Sequence, residues 1–184
     1  MEDKQIIELY WNRSNEAIKE TKEKYGQHCS YIAYHILQKE EEAECCLKES
    51  YERVWDTIPP RRPQNFKAYL CKITRNHALH RRYPELDGQV TDLFTAELII
   101  HDFLKELEPK QRKLFVAYYW YFADVSEIAL QYKMSENKVH TTLVSLRQKL
   151  DDVLEQKGIQ LQTEAEFFYA MTEMDDRYLE EAEP

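Results

Sequence analysis

Turn-forming residues are scarce in this sequence, which contains only 3 glycines and 6 prolines among 184 residues. Hydrophobic residues make up 43% of the chain and charged residues 32%. Because sheet-rich domains need many turns, this composition favours long helices, and we predict an all-α protein. The four cysteines form neither a C-x-x-C pair nor a metal-ligand spacing with the six histidines. We therefore predict reduced, mostly buried thiols, no metal site and no cofactor.

Long apolar runs and enzyme signatures are also absent. The longest near-continuous apolar run, Leu114 to Ala123, is about half the length of a membrane-spanning helix. The N-terminus shows no basic-then-apolar signal sequence, so we expect a cytoplasmic protein without membrane insertion. The sequence has no glycine-rich phosphate loop, nucleophile elbow or metal-ligand cluster. We predict that the protein is not an enzyme and has no catalytic residues.

The chain as a whole lacks the net positive charge that nucleic-acid binding favours, since 25 Lys and Arg face 34 Asp and Glu, a net charge of -9. The acids are unevenly spread. Residues 1–83 hold fifteen basic and thirteen acidic residues, and residues 109–160 hold eight and six. Residues 84–108 hold one basic and seven acidic residues, and residues 161–184 hold one basic and eight acidic residues. Two mildly basic lobes are thus separated by an acidic connector and followed by an acidic tail.

Helical periodicity outlines a first lobe of four helices. A short helix opens near Ile6, and Ser14 is the predicted N-cap of the second helix. A third predicted helix runs from about Glu40 to Ile58, where Pro59-Pro60 ends it, and a fourth runs from about Gln64 to Tyr83.

The fourth predicted helix has an apolar face formed by Phe66, Leu70, Ile73 and His77. The periodicity leaves five of its residues for water or a partner: Lys72, Arg75, Asn76, Arg81 and Arg82.

A second lobe follows a turn-rich connector that contains Asp87-Gly88. After one helix marked by apolar residues from Leu93 to Leu107, Pro109 suits the first turn of a helix that runs through Phe122. Both segments have the apolar spacing of helices that pack on a core.

The end of the second lobe has the pattern of a helix-turn-helix. Asp124 and Glu127 form a capping-box start for a short helix, and Lys133-Met134 is the predicted turn. Ser135 is the predicted N-cap of a longer helix, with Gly158 as its C-terminal cap. Such a hairpin can be purely structural, or it can set its second helix into the major groove. In the second case we expect eight residues to meet phosphates or base edges: Ser135, Asn137, Lys138, His140, Thr141, Thr142, Ser145 and Arg147.

Two motif blocks, one in each lobe, stand in order along the chain. The first runs from Glu42-Ala43-Glu44 through Tyr51, Val54-Trp55 and Ile58, then from Phe66-Lys-Ala-Tyr-Leu to Thr74-Arg75-Asn76. The second consists of Leu107, Pro109, Gln111, Arg112, Phe115, Ser126 to Ala129, Met134-Ser135, Val139, Leu143, Arg147 and Leu150. In order and spacing, these blocks resemble the extracytoplasmic-function (ECF) sigma factors, the promoter-recognising subunits of bacterial RNA polymerase. The resemblance covers about residues 15–158.

The resemblance implies two small helical lobes joined by a short acidic connector, the second lobe being a helix-turn-helix domain. Residues 1–83 would form a region 2-like domain that binds core polymerase and the minus-10 element. A linker would cover residues 84–96, and residues 97–159 would form a region 4-like domain that binds the minus-35 element. An acidic amphipathic tail would follow at residues 160–184. The implied partners are core RNA polymerase, promoter DNA and an anti-sigma protein.

Two sets of contact residues in the first lobe follow from the resemblance. The residues implied to face the polymerase clamp helices are Glu44, Glu49, Tyr51, Arg53 and Trp55. The residues implied to meet the minus-10 element are Lys72, Arg75, Asn76, His80, Arg81 and Arg82. Trp55 is equally compatible with a place in the core, because a tryptophan on an apolar stripe usually packs. Each basic residue is also compatible with an ordinary solvated helix face.

Three positions of the last helix that are commonly Lys or Arg in this family are His140, Thr142 and Ser145 here. Because each lost phosphate contact reduces counterion release, we expect weaker promoter binding with a smaller salt dependence. The connector is also shorter and more acidic than in many relatives. These departures and the net charge keep a second interpretation open: a sigma-like regulatory module that binds polymerase or an anti-sigma partner without productive promoter reading.

The acidic tail has the spacing of an amphipathic helix. Residues 162–181 place Phe167, Met171, Met174 and Tyr178 on one face. The last part of the tail briefly resembles acidic segments at the start of some anti-sigma proteins. We hypothesise that the tail folds back on a lobe and restrains DNA or polymerase binding. The alternative is a disordered or surface-packed tail that serves solubility.

Overall fold

The fold is helical throughout the part of the chain that the structure describes. The structure is a computed structural model, and it describes residues 1–86 and 90–183. These residues form ten α-helices and a short 3-10 turn, without a strand, which confirms the predicted all-α class. None of the described helices combines the length and the apolar character that crossing a membrane requires. The chain divides into two compact units, residues 1–84 and 85–184.

The first unit is a bundle of four helices. Their bounds are α1, Asp3–Trp11; α2, Glu16–Leu37; α3, Glu40–Thr57; and α4, Phe66–Arg82. Helices α2, α3 and α4 pack on one another, and α1 packs on α2 and α4. Apolar side chains at helical spacing are buried in this bundle, among them Ile32, Val54 and Leu70. Asn65 caps α4, its side-chain oxygen accepting a hydrogen bond from the N–H of Ala68 at 2.8 Å.

The bounds of α3 and α4 closely match the prediction, and α2 begins at Glu16. Asn15, which precedes it, has helical backbone angles and makes no side-chain capping hydrogen bond. The Ser14 hydroxyl accepts a hydrogen bond from the N–H of Glu16 at 3.4 Å, the bond expected of the predicted N-cap. Arg13 adopts a left-handed backbone with a φ of 53°, so the chain turns immediately before Ser14.

The described residues of the second unit form six α-helices. Their bounds are α5, Val90–Glu106; α6, Pro109–Tyr119; α7, Val125–Gln131; α8, Glu136–Gln156; α9, Glu164–Ala170; and α10, Asp176–Glu181. Helix α8 packs on α5, α6 and α7, while α9 packs on α5 and α10 on α6. Because α5 begins at Val90, it occupies the end of the segment predicted as a linker, residues 84–96. The predicted turn at Asp87-Gly88 lies outside the described residues.

Local capping signals set the helix ends around the hairpin of α7 and α8. Asp124 and Glu127 form the predicted capping box at the start of α7. Ser135 caps α8 as predicted, its hydroxyl oxygen accepting a hydrogen bond from the N–H of Lys138 at 3.2 Å. Gly158 follows the end of α8 with a φ of 75°, a conformation that glycine adopts without strain. The starts of α7 and α8 and the glycine after α8 therefore lie where the sequence predicts them.

Two predictions for the second unit are wrong in detail. Helix α6 ends at Tyr119 and does not run through Phe122, whose φ of 60° excludes it from a right-handed helix. The tail forms the two short helices α9 and α10 instead of one amphipathic helix. Asp175 is the N-cap of the second of them, its carboxylate accepting a hydrogen bond from the N–H of Arg177 at 2.9 Å.

The tail contributes to the core of the second unit. The residues of its predicted apolar face are at most 7% exposed: Phe167, Met171, Met174 and Tyr178. The buried indole of Trp120 donates a hydrogen bond to the backbone oxygen of Met171 at 3.1 Å. The buried hydroxyl of Tyr121 donates to the backbone oxygen of Leu179 at 3.0 Å. Paired polar groups as well as apolar contacts therefore hold the tail against α5 and α6.

Candidate nucleic-acid interface

Helix α8 turns one face to the core and the other to solvent. Val139 and Leu143 on its inner face pack in one cluster with Ile128 and Ala129 of α7. Six of the predicted DNA-contact residues are exposed: Ser135, Asn137, Lys138, His140, Thr141 and Ser145. The remaining two, Thr142 and Arg147, are half-buried. The hairpin thus has its own hydrophobic support and leaves a polar face available to a ligand.

The hydrogen-bonding capacity of this polar face is partly used within α8. The Thr141 hydroxyl donates to the backbone oxygen of Asn137 at 2.9 Å, and the Thr142 hydroxyl donates to that of Lys138 at 2.7 Å. Within the described residues, the side chains of Asn137, Lys138, His140 and Ser145 make no hydrogen bond or ion pair. These four side chains can therefore bind a ligand without first breaking a bond in the protein.

Arg147 is held by the tail. Its guanidinium forms ion pairs with Asp151 and with Glu164 of α9, each at 3.0 Å, and lies 3.9 Å from the ring centroid of Phe167. Burial lowers the pKa of Arg147, but the hydrogen bonds with the two carboxylates outweigh that effect and raise the pKa above its ordinary value. The charge of this predicted DNA-contact residue is thus largely balanced inside the protein.

The basic end of α4 is exposed, whereas Arg75 is not. His80, Arg81 and Arg82 lie at the solvent-facing end of the helix. Arg75 is 0% exposed, and burial lowers the pKa of its guanidinium. The prediction that Arg75 faces water or a partner is therefore wrong.

The buried face of α4 explains this error. Thr74 and Ala78 are buried, whereas Ile73 and His77 of the predicted apolar face are only half-buried. Because α4 packs on both α2 and α3, its buried stripe is wider than the apolar residues alone indicate, and it includes Arg75. Two further predicted contacts, Lys72 and Asn76, are half-buried.

Arg81 is paired with an acid of α3. Its guanidinium donates a hydrogen bond to the carboxylate of Glu49, and this bond raises the pKa of Arg81. The sequence-based prediction assigned Arg81 to DNA and Glu49 to polymerase. The structure brings the two residues together on one surface of the first unit, where each partly neutralises the other.

The outer face of α3 carries most of the residues predicted to face polymerase. Glu44, Glu49 and Arg53 are exposed. Trp55 is half-buried. The centroid of its ring lies 6.1 Å from the centroid of the Tyr10 ring and 5.3 Å from the guanidinium carbon of Arg13. The Trp55 ring therefore packs against a tyrosine and an arginine, and the rest of its surface is accessible to a partner.

Tyr51 lies in the core. It is 5% exposed, and burial raises the pKa of its hydroxyl. The Lys22 ammonium group of α2 lies 5.3 Å from the ring centroid. Tyr51 is thus unavailable as a surface contact, because its side chain belongs to the apolar stripe of α3 that faces α2.

Two residues beside these surfaces were missed as site residues by the sequence-based predictions. Arg13 covers Trp55, and its guanidinium donates a hydrogen bond to the backbone oxygen of Trp55 at 2.6 Å. Gln111 of α6 lines a cleft together with residues of α8. Arg13 lies 42 residues from Trp55, and Gln111 lies at least 27 residues from the α8 residues of the cleft. Helical periodicity relates only residues a few positions apart, so it could not predict either contact. The only sequence signal for Gln111 was its place in the second motif block.

The residues that the structure describes contain no group of three or more metal-binding side chains. No curated protein matches this chain. Residues 22–82 match the family model of sigma-70 region 2. This segment comprises most of α2 and the whole of α3 and α4, the helices that carry the exposed face of α3 and the basic end of α4. Over these residues the first unit is therefore similar to sigma-70 region 2.

Proposed function

We propose that this protein is a sigma factor of the ECF group, which directs bacterial core RNA polymerase to specific promoters in the cytoplasm. The observation that carries the proposal is the match of residues 22–82 to sigma-70 region 2, which coincides with three mutually packed helices. The short connection between α7 and α8 supports it, because a helical hairpin of this kind can supply the second DNA contact that a factor positioning polymerase needs.

The first unit would supply the polymerase contact and the minus-10 contact. The exposed residues Glu44, Glu49 and Arg53, with the accessible edge of Trp55, would meet polymerase. The residues at and near the basic end of α4 would meet unpaired promoter bases and their backbone: Lys72, Asn76, His80, Arg81 and Arg82. Tyr51 and Arg75 are left out of this assignment because both are buried.

The second unit would bind the minus-35 element through the polar face of α8. Ser135, Asn137 and His140 lie in the first turns of the helix, which enter the major groove first in helix-turn-helix proteins. An anti-sigma protein is a further proposed partner, because the ECF resemblance implies one.

A second candidate function is a sigma-like regulator that binds polymerase or an anti-sigma protein without productive promoter reading. The state of Arg147 favours it, since two carboxylates and an aromatic ring already engage its guanidinium. A recognition helix with little available positive charge binds DNA weakly and with a small salt dependence.

Run-off transcription separates the two candidates. The template is the DNA upstream of the gene for this protein, and purified bacterial core polymerase is added with or without the protein. We expect a transcript that starts only when the protein is present. Polymerase binding in a pull-down assay without any transcript would favour the regulator. Failure to bind polymerase at all would contradict the sigma factor and leave only a regulator that binds an anti-sigma protein.

A further inference from the structure

Three of the four cysteines lie in the core of the first unit. Cys29 of α2, Cys46 of α3 and Cys71 of α4 are each 0% exposed, whereas Cys45 is exposed. All four lie among the described residues, and all four are reduced. Each of the three mutually packed helices therefore supplies one buried thiol.

The three buried thiols are grouped around Thr74 of α4. The Cys46 thiol donates a hydrogen bond to the backbone oxygen of Thr74 at 3.6 Å. The Thr74 hydroxyl lies within hydrogen-bonding reach of the Cys29 sulfur. Cys71 precedes Thr74 by three residues, so the two residues lie on the same side of α4.

Cys29 and Cys71 are in direct contact across the interface of α2 and α4. The Cys71 thiol donates a hydrogen bond to the Cys29 sulfur. One turn before Cys29, a Cβ atom at Gly26 would lie 3.5 Å from the Tyr51 hydroxyl, so α2 also fits closely against α3 here. Close packing on both sides holds the two sulfur atoms next to each other, as the short sulfur–sulfur bond of a disulfide requires.

The surroundings of Cys29 favour its thiolate form. The hydrogen bond from Cys71 lowers the pKa of Cys29, and Thr74 and the charge of Lys67 add to this effect, so that together they outweigh burial. Lys67 is itself buried, which limits the screening of its charge by water. Burial raises the pKa of Cys46 to about 12. Because the thiolate is the reactive form of cysteine, Cys29 is the expected nucleophile of the group.

We propose that Cys29 and Cys71 are a peroxide-sensitive modification site that forms a disulfide between α2 and α4. The Cys29 thiolate attacks one oxygen of hydrogen peroxide and the O–O bond breaks, which gives a sulfenic acid and a hydroxide that takes up the proton released by Cys29. The Cys71 sulfur then attacks the Cys29 sulfur, and the departing hydroxide leaves with the Cys71 proton as water. Two thiols are oxidised, and one peroxide is reduced to two waters.

The burial of the pair determines how the reaction proceeds and what it does. Neither sulfur is exposed, so hydrogen peroxide reaches Cys29 when the bundle opens locally. The new bond joins residues 42 positions apart in the sequence. Because it restricts the separation of α2 and α4, amide hydrogen exchange in both helices should be slower in the oxidised protein than in the reduced one.

Thiol counting and mass spectrometry of the folded full chain test the site. The Cys45→Ser variant is used, because it lacks the exposed thiol that could crosslink two molecules. After hydrogen peroxide we expect two of its three thiols to be lost and the mass to fall by about 2 Da, both reversed by dithiothreitol. The three buried cysteines fall in different tryptic peptides, so the crosslinked peptide identifies the pair as Cys29 and Cys71.

Two further variants in the Cys45→Ser background assign the roles. Cys46→Ser is the matched control and should form the same disulfide. Cys71→Ser removes the second thiol of the pair, so the sulfenic acid of Cys29 should persist and react with dimedone. Circular dichroism establishes that each variant is folded, and if Cys71→Ser is not, the crosslinked peptide of the Cys45→Ser protein decides.

Three results would overturn the assignment. They are three reduced thiols after peroxide treatment of the Cys45→Ser protein, a disulfide that includes Cys46, and irreversible addition of oxygen to Cys29 in place of a disulfide. None of these measurements uses DNA or polymerase. The modification site therefore stands or fails independently of the proposed function.

Discussion

At the scale of single residues, Arg147 is where the tail meets the predicted recognition helix. Its ion pairs with Asp151 and Glu164 are partly exposed, and such pairs contribute about 0–1 kcal/mol. The ring of Phe167 lies beneath the guanidinium and limits its freedom. The contact is therefore weak enough to be altered by one substitution without unfolding the unit.

Replacing Glu164 should release part of the Arg147 charge for DNA. We expect Glu164→Gln to raise the affinity for duplex DNA by about two- to threefold, because one partner of the guanidinium loses its charge. Anisotropy titration at low salt measures the change. Glu155→Gln, an exposed residue of α8, makes the same change in net charge without touching Arg147. An equal rise in both variants would assign the effect to net charge alone.

His28 makes the stability of the first unit depend on pH. Burial, with a smaller contribution from the nearby Lys67 charge, lowers the pKa of His28 from 6.5 to about 4. Between these values the unfolded chain binds more protons than the folded chain, so the stability present above pH 6.5 is lost as the pH falls towards 4. We expect a loss of about 2 kcal/mol in the free energy of unfolding between pH 7.5 and 5.

Urea unfolding at the two pH values checks this expectation. His28→Asn should lose most of the pH dependence, whereas His35→Asn, at an exposed position of the same helix, should retain it. The same pH dependence in His28→Asn as in the wild type would place the titrating group elsewhere.

At the scale of helices, the short helix α10 is held by contacts from α6 and the turn after it. The Tyr121 hydroxyl donates to the backbone oxygen of Leu179, Arg112 pairs with Glu181 at 3.2 Å, and its guanidinium lies 4.5 Å from the ring centroid of Tyr178. A helix of six residues is not stable by itself, so these contacts determine whether α10 forms.

Tyr121→Phe tests the buried hydrogen bond. The substitution keeps the ring and leaves the Leu179 carbonyl without its donor, so the free energy of unfolding should fall by about 1–2 kcal/mol. Amide hydrogen exchange should become faster in α10 before it changes in α8. Tyr118→Phe, at an exposed position of α6, is the control. Unchanged stability and exchange in Tyr121→Phe would show that the hydrogen bond contributes little.

At the scale of the whole molecule, the tail is a part of the second unit and cannot be removed without consequence. Its apolar residues are buried, and it covers polar groups of Trp120 and Tyr121. Truncation would expose these aromatic rings to water and remove the acceptors of two buried donors. Glu164→Gln is therefore a cleaner test than truncation of the hypothesis that the tail restrains DNA binding.

Deleting residues 161–184 should destabilise the second unit and leave the first unit folded. We expect a red-shifted emission of Trp120 and binding of a hydrophobic dye, because the core of the second unit opens. A Trp120-only variant, with Trp11 and Trp55 replaced by Phe, isolates the signal. Unchanged Trp120 emission and unfolding free energy in the truncated chain would contradict the structural role of the tail.

Most of the features that were predicted correctly depend on residues three or four positions apart in the sequence. The bounds of α3 and α4, the capping box at Asp124 and the cap at Ser135 depend on neighbouring residues, and each is found as predicted. The burial of Arg75 was not predictable, because α4 contacts two helices at once and only the packed bundle shows how wide its buried stripe is. Likewise, periodicity could not bring Gln111 to Lys138.

The sequence by itself determined the all-α class, the ends of most helices and the region 2 segment, because these depend on local propensity and on motifs read in order. The tertiary structure alone decided which charges are available. It buried Arg75, paired Arg81 with Glu49 and Arg147 with Glu164, and left Lys138 beside Gln111. The physical reason is that the state of a charge depends on its neighbours in space, which helix packing selects from distant parts of the chain.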